Sequence, residues 1–293
     1  MTLDTFRKII KKLNKISLKF TYIFYYIKLL NYKGFKVLNK KITLHSFKKS
    51  KHLKDIFFYG MESHEKEVLY LLKNLKWDYS HFIDVGANIG YFSMLAEIYS
   101  SGNCKVISVE PLLENVKYLS SIKTLNNFRF EIVSKALSRK EGKSIYYKPI
   151  KKHNSYLSTS GSLLKKNENT SVERIDIETT TLKKIIPKDS KKILIKLDCE
   201  GSEFDILNSS QSLLKNANYD FIIEILINDI YKEKIFKIMK KNGYFSYLLT
   251  SEGVIKESNL ITIPSKSNAG RTYWRNHFFS KNKLENNNEI HIL

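Results

Sequence analysis

The run HFIDVGANIGYF, residues 81–92, sets Asp84 in an apolar stretch and follows it with glycines two and six positions later. Glycine marks a place where the backbone turns sharply or lets something approach closely. HFIDVG (81–86) is short and apolar, as a buried strand is, and NIGYFSMLAEIYSS (88–101) has helical period. The stretch reads as strand, turn and helix, with the turn as the place to look for a site.

The same alternation extends in both directions. EKEVLYLLKNLK (65–76) is helical, KVISVEP (105–111) is a strand, LLENVKYLSSIKTLNN is helical and FRFEIVSKAL (128–137) is extended. The pattern pauses over 138–180, where Gly142, Pro149, Gly161 and many Ser and Asn residues break it up, and the irregular segment 148–170 predicts a lid over the crevice. It resumes with helical TLKKII (181–186), strand KILIKLD (192–198), helix SEFDILNSSQSLLKN and strand YDFIIEIL (219–226). Helix 230–242 and two strands near 244–263 complete it. Strands separated by helices of this length predict a parallel, doubly wound sheet.

In such a sheet a cofactor lies on the loop that leaves the first strand. A dinucleotide wants G-x-G-x-x-G, because its pyrophosphate needs exposed amides at a helix start. Here Asn88 stands where the middle glycine belongs, and a carboxylate at Asp84 repels a diphosphate. The same carboxylate suits the ammonium and sulfonium of S-adenosylmethionine, whose own carboxylate the loop amides can accept. Gly86 then lets the backbone approach the ligand, and Gly90 permits close helix–strand packing. Glu110, at the end of the second strand, accepts hydrogen bonds from a ribose diol, a demand both cofactors share. In this order and in a βαβ frame, the markers favour a methyltransferase site.

Composition limits the other readings. The chain has 293 residues and a net charge of +21, with 44 Lys and only 6 Arg among its basic side chains. Dedicated phosphate readers favour the forked guanidinium of Arg, so the charge reads as compositional drift more than as a nucleic-acid interface. Residues 1–55 hold fifteen Lys/Arg against Asp4 and Asp55, which is most of the surplus. Phe6, Ile9, Ile10, Leu13, Ile16 and Phe20 recur there at helical spacing, which predicts either a cap helix or a basic helix on an anionic membrane surface. The apolar run FTYIFYYI (20–27) is far short of the roughly twenty residues that span a bilayer. No secretory signal is visible, and two cysteines, Cys104 and Cys199, suit a reducing cytoplasm. The expected location is cytoplasmic, with peripheral contact at the inner membrane face as the alternative that a basic surface helix would bring.

The series FIDVGANIGYFS, VISVEPLLENVKYL, Ala136-Leu137 with Gly142, SGSL (160–163), TLKKI and IKLDCEGSEFDIL resembles the FkbM family of S-adenosylmethionine-dependent methyltransferases, from about residue 62 to residue 279. Its most specific element is KLDCEGSE (196–203). The resemblance implies a Rossmann-like class I methyltransferase fold: a mostly parallel seven-stranded sheet with helices on both faces. The expected division is a basic helical extension over 1–60, a methyltransferase domain over 61–280 and a polar tail over 281–293. It also implies O-methylation of a sugar, glycan or natural-product hydroxyl, with Asp84, Gly86, Asn88, Gly90, Glu110, Pro111 and Ala136 around the cofactor.

An acceptor hydroxyl needs a base, worth roughly 10²–10⁴ in rate. Asp198 and Glu200, at the end of the fourth strand across from Gly86, are the catalytic candidates. Asp198 and Glu224, with Glu200 as a further oxygen ligand, are the candidates for holding Mg²⁺. The bland reading of Glu200 and Glu203 is helix N-terminal capping. His153 and His277 are alternative bases, and Tyr91 and Phe92 read as core. Two other functions stay open: a nucleic-acid methyltransferase, such as one acting on RNA 2′-hydroxyls, and a non-catalytic membrane-associated scaffold.

Overall fold

A computed structural model describes residues 34–46, 50–150, 161–163, 171–216, 218–226, 229–257, 274–285 and 290–292. The N-terminal helices expected before residue 31, His153 and the middle of the expected lid lie outside the described residues.

The chain opens with a small antiparallel hairpin, β1 (Phe35–Val37) and β2 (Lys40–Ile42), then helix α1 (Lys51–Tyr59). Ser50 caps α1 by accepting from the amide of His52. A 3-10 turn (Met61–Ser63) leads to α2 (Lys66–Asn74). The alternating body follows as β3 (His81–Val85), α3 (Tyr91–Tyr99), β4 (Lys105–Val109), α4 (Leu113–Leu125) and β5 (Glu131–Val133). After an insertion it continues as α5 (Leu182–Ile185), β9 (Ile193–Leu197), α6 (Glu203–Ser209), α7 (Gln211–Asn216) and β10 (Tyr219–Glu224). It closes with α8 (Lys232–Lys241), β11 (Phe245–Leu249), β12 (Val254–Lys256) and β13 (Asn276–Ser280).

The main sheet has eight strands, one more than expected, in the order β12-β11-β13-β10-β9-β3-β4-β5. From β10 to β5 the pairing is parallel, while β12, β11 and β13 form an antiparallel edge. Both faces of the central strands are covered. Phe82, Leu194 and Ile222 pack with α2, α3 and α4 on one side, and Ile83, Ile195 and Ile223 with α6 and α8 on the other. Burial on both faces is why these strands read as continuous apolar runs. Strand order reverses between β3 and β9, which opens a crevice at their C-terminal ends.

Two expectations about organisation change. The break in alternation over 138–180 contains regular structure: β7 (Gly142–Pro149) and β8 (Val172–Thr180) form a long antiparallel hairpin, joined by β6 (Ala136–Leu137). Its pairs include Lys143 opposite Glu178 and Lys148 opposite Glu173, so charge alternates where a buried strand would show apolar residues. The expected extension over 1–60 does not end at a seam. Phe35, Val37, Ile42, Leu44, Leu53 and Ile56 belong to the same core as α2 and α3.

Candidate active site

The turn after β3 is built around two left-handed glycines. Gly86 has φ of 80°, and a Cβ there would lie 2.0 Å from the carbonyl oxygen of Asp198. The close approach that requires glycine is thus to the end of β9, a strand contact beside the expected position against a ligand. Gly90 has φ of 77°, and a Cβ there would lie 2.2 Å from Cδ1 of Leu119 on α4. Gly90 therefore serves packing, as its position suggested, and does not line the cavity described below.

Asp84 also sits beneath the site. Its carboxylate accepts from Ser93 Oγ at 2.6 Å, and Ser108 Oγ donates to Ser93 at 2.7 Å. Burial raises its pKa, against the pull of Lys196 on the neighbouring strand. Its expected contact with a cationic ligand is corrected to a support beneath the turn, because it is 1 % exposed and absent from the cavity wall.

The amides of Gly86 and Ala87 donate to the carbonyl of Val109, and that of Asn88 to Glu110 Oε2 at 2.9 Å. These three amides are consumed inside the fold. They are not offered to a pyrophosphate, which argues against a dinucleotide, and they do not receive a cofactor carboxylate as expected. Glu110 takes two further donors, the Leu112 amide at 3.0 Å and Asn115 Nδ2 at 3.2 Å. Burial pushes its carboxyl up to about 7 in spite of these bonds. The result is a fixed carboxylate at the edge of the crevice, suited to a ribose diol.

One cavity of about 460 Å³ runs along the strand ends. One half is walled by Gly86, Asn88, Glu110, Pro111, Asn115 and Ala136, the other by His52, His64, Glu65, Lys196, Asp198 and Glu224. Asn88 takes the left-handed conformation, φ 52°, on which the turn depends. Five of the seven expected cofactor residues come together in the first half; Asp84 and Gly90 lie behind them. Tyr91 and Phe92 are buried, as expected, yet each also shows an edge to the cavity. Glu200 lines it too, at φ 57°, and its carbonyl accepts from Ser162 Oγ at 2.9 Å. Glu203 follows its bland reading: its carboxylate accepts from the amides of Cys199 and Gly201 and holds that loop in shape.

The second half is a network of buried charge. Lys196 Nζ donates to Asp198 Oδ2 at 2.8 Å and lies 4.5 Å above the Phe92 ring. Arg275 Nε pairs with Glu224 Oε1 at 2.8 Å. Carboxylate oxygens of Glu65, Asp198 and Glu224 all lie within 4.8 Å of one another. Burial works to raise the Asp198 carboxyl, but the Lys196 ammonium, its hydrogen bond and the Arg275 guanidinium outweigh it and hold the group at about 2. Burial and the Asp198 charge push Glu224 well up.

This arrangement bears on two assignments. Asp198 lines the cavity as expected, and its Oδ2 already accepts from Lys196, so the carboxylate is engaged as a charge partner at the end of β9. The expected Mg²⁺ ligands Asp198 and Glu224 do come together, with Glu65 in place of Glu200, but Lys196 and Arg275 already supply positive charge to this cluster. A divalent ion there would face two fixed cations at close range, so the residues present do not fit it.

Sequence reading missed His52, Asp55, His64 and Glu65, which line the cavity from α1 and the approach to α2. It also missed Arg275, 51 positions from its partner Glu224. His277, expected as an alternative base, is buried between the Arg275 carbonyl and Glu257, and does not line the cavity.

Among solved structures the chain is similar to a methyltransferase FkbM from Methylobacillus flagellatus KT, at 16% identity, 78% of this chain, 52% of that one and TM-score 0.48. It thus spans about half the length of that protein. Similar, too, are a precorrin-6y C5,15-methyltransferase from Geobacter metallireducens GS-15 (11% identity, 73% and 88% covered, TM-score 0.40) and a SAM-dependent O-methyltransferase from Thermotoga maritima (11% identity, 76% and 66% covered, TM-score 0.39). No curated protein matches the sequence. The Methyltransferase FkbM domain matches residues 84–246, from the aspartate of β3 into β11 and over more than half of the chain, and the chain belongs to the FkbM methyltransferase family.

Proposed function

We propose that the chain is an S-adenosylmethionine-dependent O-methyltransferase acting on a hydroxyl of a sugar, a surface glycan or a natural product. The observation that carries this reading is the single cavity shared by two chemically different halves. In one, Glu110 offers a fixed carboxylate to a ribose, beside a glycine turn whose amides are unavailable to a diphosphate. In the other, clustered carboxylates offer acceptors to hydroxyl groups. When bound, the cofactor supplies a methyl carbon on sulfur, with a neutral thioether as the leaving group. The chain's part is alignment: Glu110, Pro111, Asn115 and Ala136 hold one reactant, and Glu65, Asp198, Glu200 and Glu224 orient the other against it. Such positioning accounts for much of the barrier lowering in a two-reactant displacement.

The same observation weighs against a nucleic-acid acceptor. The acceptor half carries Asp55, Glu65, Asp198, Glu200 and Glu224 against Lys196 and Arg275, so a phosphate backbone meets net negative charge there. A non-catalytic scaffold has no need of an acidic hollow at its strand ends.

The test is methyl transfer from unlabelled S-adenosylmethionine to a panel of methyl glycosides, nucleotide sugars and polysaccharide fragments, with RNA as comparator, read by product mass. A product 14 mass units heavier on a glycan hydroxyl supports the reading. Transfer to RNA alone, or calorimetric binding of NAD in place of S-adenosylhomocysteine, overturns it.

A further inference from the structure

A hydroxyl acceptor must lose its proton near neutral pH, and three carboxylates of the cavity are already engaged. Asp198 accepts from Lys196, Glu224 is paired with Arg275, and Glu110 is occupied by three donors on the cofactor side. Histidine is the side chain whose ordinary titration range fits. The chain has seven histidines. Among the described residues, those that line the cavity are His52 and His64.

Their geometry is specific. The two rings lie 4.2 Å apart, centroid to centroid, at 45°. His64 also meets Tyr91 edge-on at 5.4 Å and Phe92 at 6.4 Å. Phe92 carries the Lys196 ammonium on its ring, and Lys196 holds Asp198. His64 therefore stands one aromatic ring away from the charged end of β9. Its main chain is fixed there: the Tyr91 hydroxyl, from the helix that follows the glycine turn, donates to the carbonyls of Met61 and His64. The charged groups around it on the cavity wall are His52 and Asp55 of α1, Glu65 before α2, and Lys196 of β9.

We propose that His64, paired with His52, takes the proton from the acceptor hydroxyl. This rests on the hydroxyl-acceptor reading above. The acceptor O–H bond breaks, the proton passes to an imidazole nitrogen, and the bonding pair stays on oxygen as the nucleophile. Both histidines precede the family-matched residues 84–246, so the base comes from the N-terminal part of the chain, which also forms the acceptor wall.

The test uses the full chain and the variants His64→Gln and His64→Ala. Hydroxyl probes are methyl α-D-glucopyranoside, methyl α-L-rhamnopyranoside and the polysaccharide fragments of the panel. Cofactor-side integrity is read as S-adenosylhomocysteine affinity by calorimetry, expected within about threefold of the parent. Turnover is expected to fall about 100-fold or more, and the acidic limb of the kcat profile between about pH 5 and 8 should disappear. Free imidazole should restore part of the rate to His64→Ala but not to His64→Gln, an outcome a purely structural histidine would not give. The proposal is overturned if the variants keep the acidic limb and near-parent turnover. It is equally overturned if S-adenosylhomocysteine affinity drops more than about tenfold, which would move His64 to the cofactor half. Failure of the underlying reading looks different: the parent protein binds S-adenosylhomocysteine but methylates none of the hydroxyl probes, and the proposal falls with it.

Discussion

Replacing Gly86 by alanine isolates the contact between the cofactor turn and the end of β9. Two costs add. The left-handed backbone, φ 80°, costs an L-residue about 1–2 kcal/mol. The new methyl would lie 2.0 Å from the Asp198 carbonyl oxygen, so backbone must retreat by more than an ångström. Overpacking of that kind costs about 1–3 kcal/mol, for a total of about 2–5 kcal/mol. At about 2–4 °C per kcal/mol for a chain of this order, the melting temperature falls by about 4–20 °C. Gly243 supplies the control, since its φ is 83° but a Cβ there meets nothing within 4 Å. Gly243→Ala should lose only the backbone cost, about 2–8 °C. The assay is differential scanning calorimetry of both variants beside the parent. Equal losses in the two would refute the argument that Gly86 is required by Asp198.

Three further outcomes are expected. Glu110 carries a proton below about 7 because burial pushes its carboxyl up, and only the ionised form accepts from both ribose hydroxyls. S-adenosylhomocysteine affinity should therefore rise with pH through 7 and level off above it; a flat calorimetric profile from pH 5.5 to 8.5 would contradict this. Lys196→Met leaves the Asp198 carboxylate without its cation, at about 3–5 kcal/mol in denaturant unfolding at neutral pH. With Lys196 gone the Asp198 pKa rises, so the loss should shrink as acid protonates the carboxyl; a loss independent of pH would mean that only packing was removed. Deleting residues 1–33 spares the core residues Phe35 to Ile56 and so separates anchor from fold. If the basic N-terminus binds anionic vesicles, the full chain should co-sediment at low salt and the shortened one should not, while equal sedimentation would reject the anchor.

What the sequence makes legible is what lies along it. Gly86, Glu110 and Asp198 each end a strand, and alternation alone brings three strand ends to one crevice. What is not legible depends on approach in space. Glu65 reaches Asp198 and Glu224 from 133 and 159 positions away, and no periodicity announces that. His52 lies in the segment whose lysines marked it as an extension, although Leu53 and Ile56 beside it are wholly buried. Asp84 carried the right signal with another partner, Ser93, and Gly86 with a second one at the end of β9. A turn built to fit its own neighbouring strand leaves the same glycine and carboxylate as a turn built to touch a ligand. The β7–β8 hairpin escaped because its strands are half exposed and paired through opposite charges, which resembles loop composition.

The acidic acceptor hollow lies inside a chain of net charge +21. Outside and inside therefore select opposite companions. At low ionic strength the protein should collect nucleic acid and other polyanions through counterion release, with an affinity that falls steeply as salt rises. Those polymers would be held at the exterior and refused at the strand ends. Copurified RNA would then report on the buffer and not on the substrate, and an acceptor screen begun without a high-salt wash would start from a protein already coated by the wrong ligand.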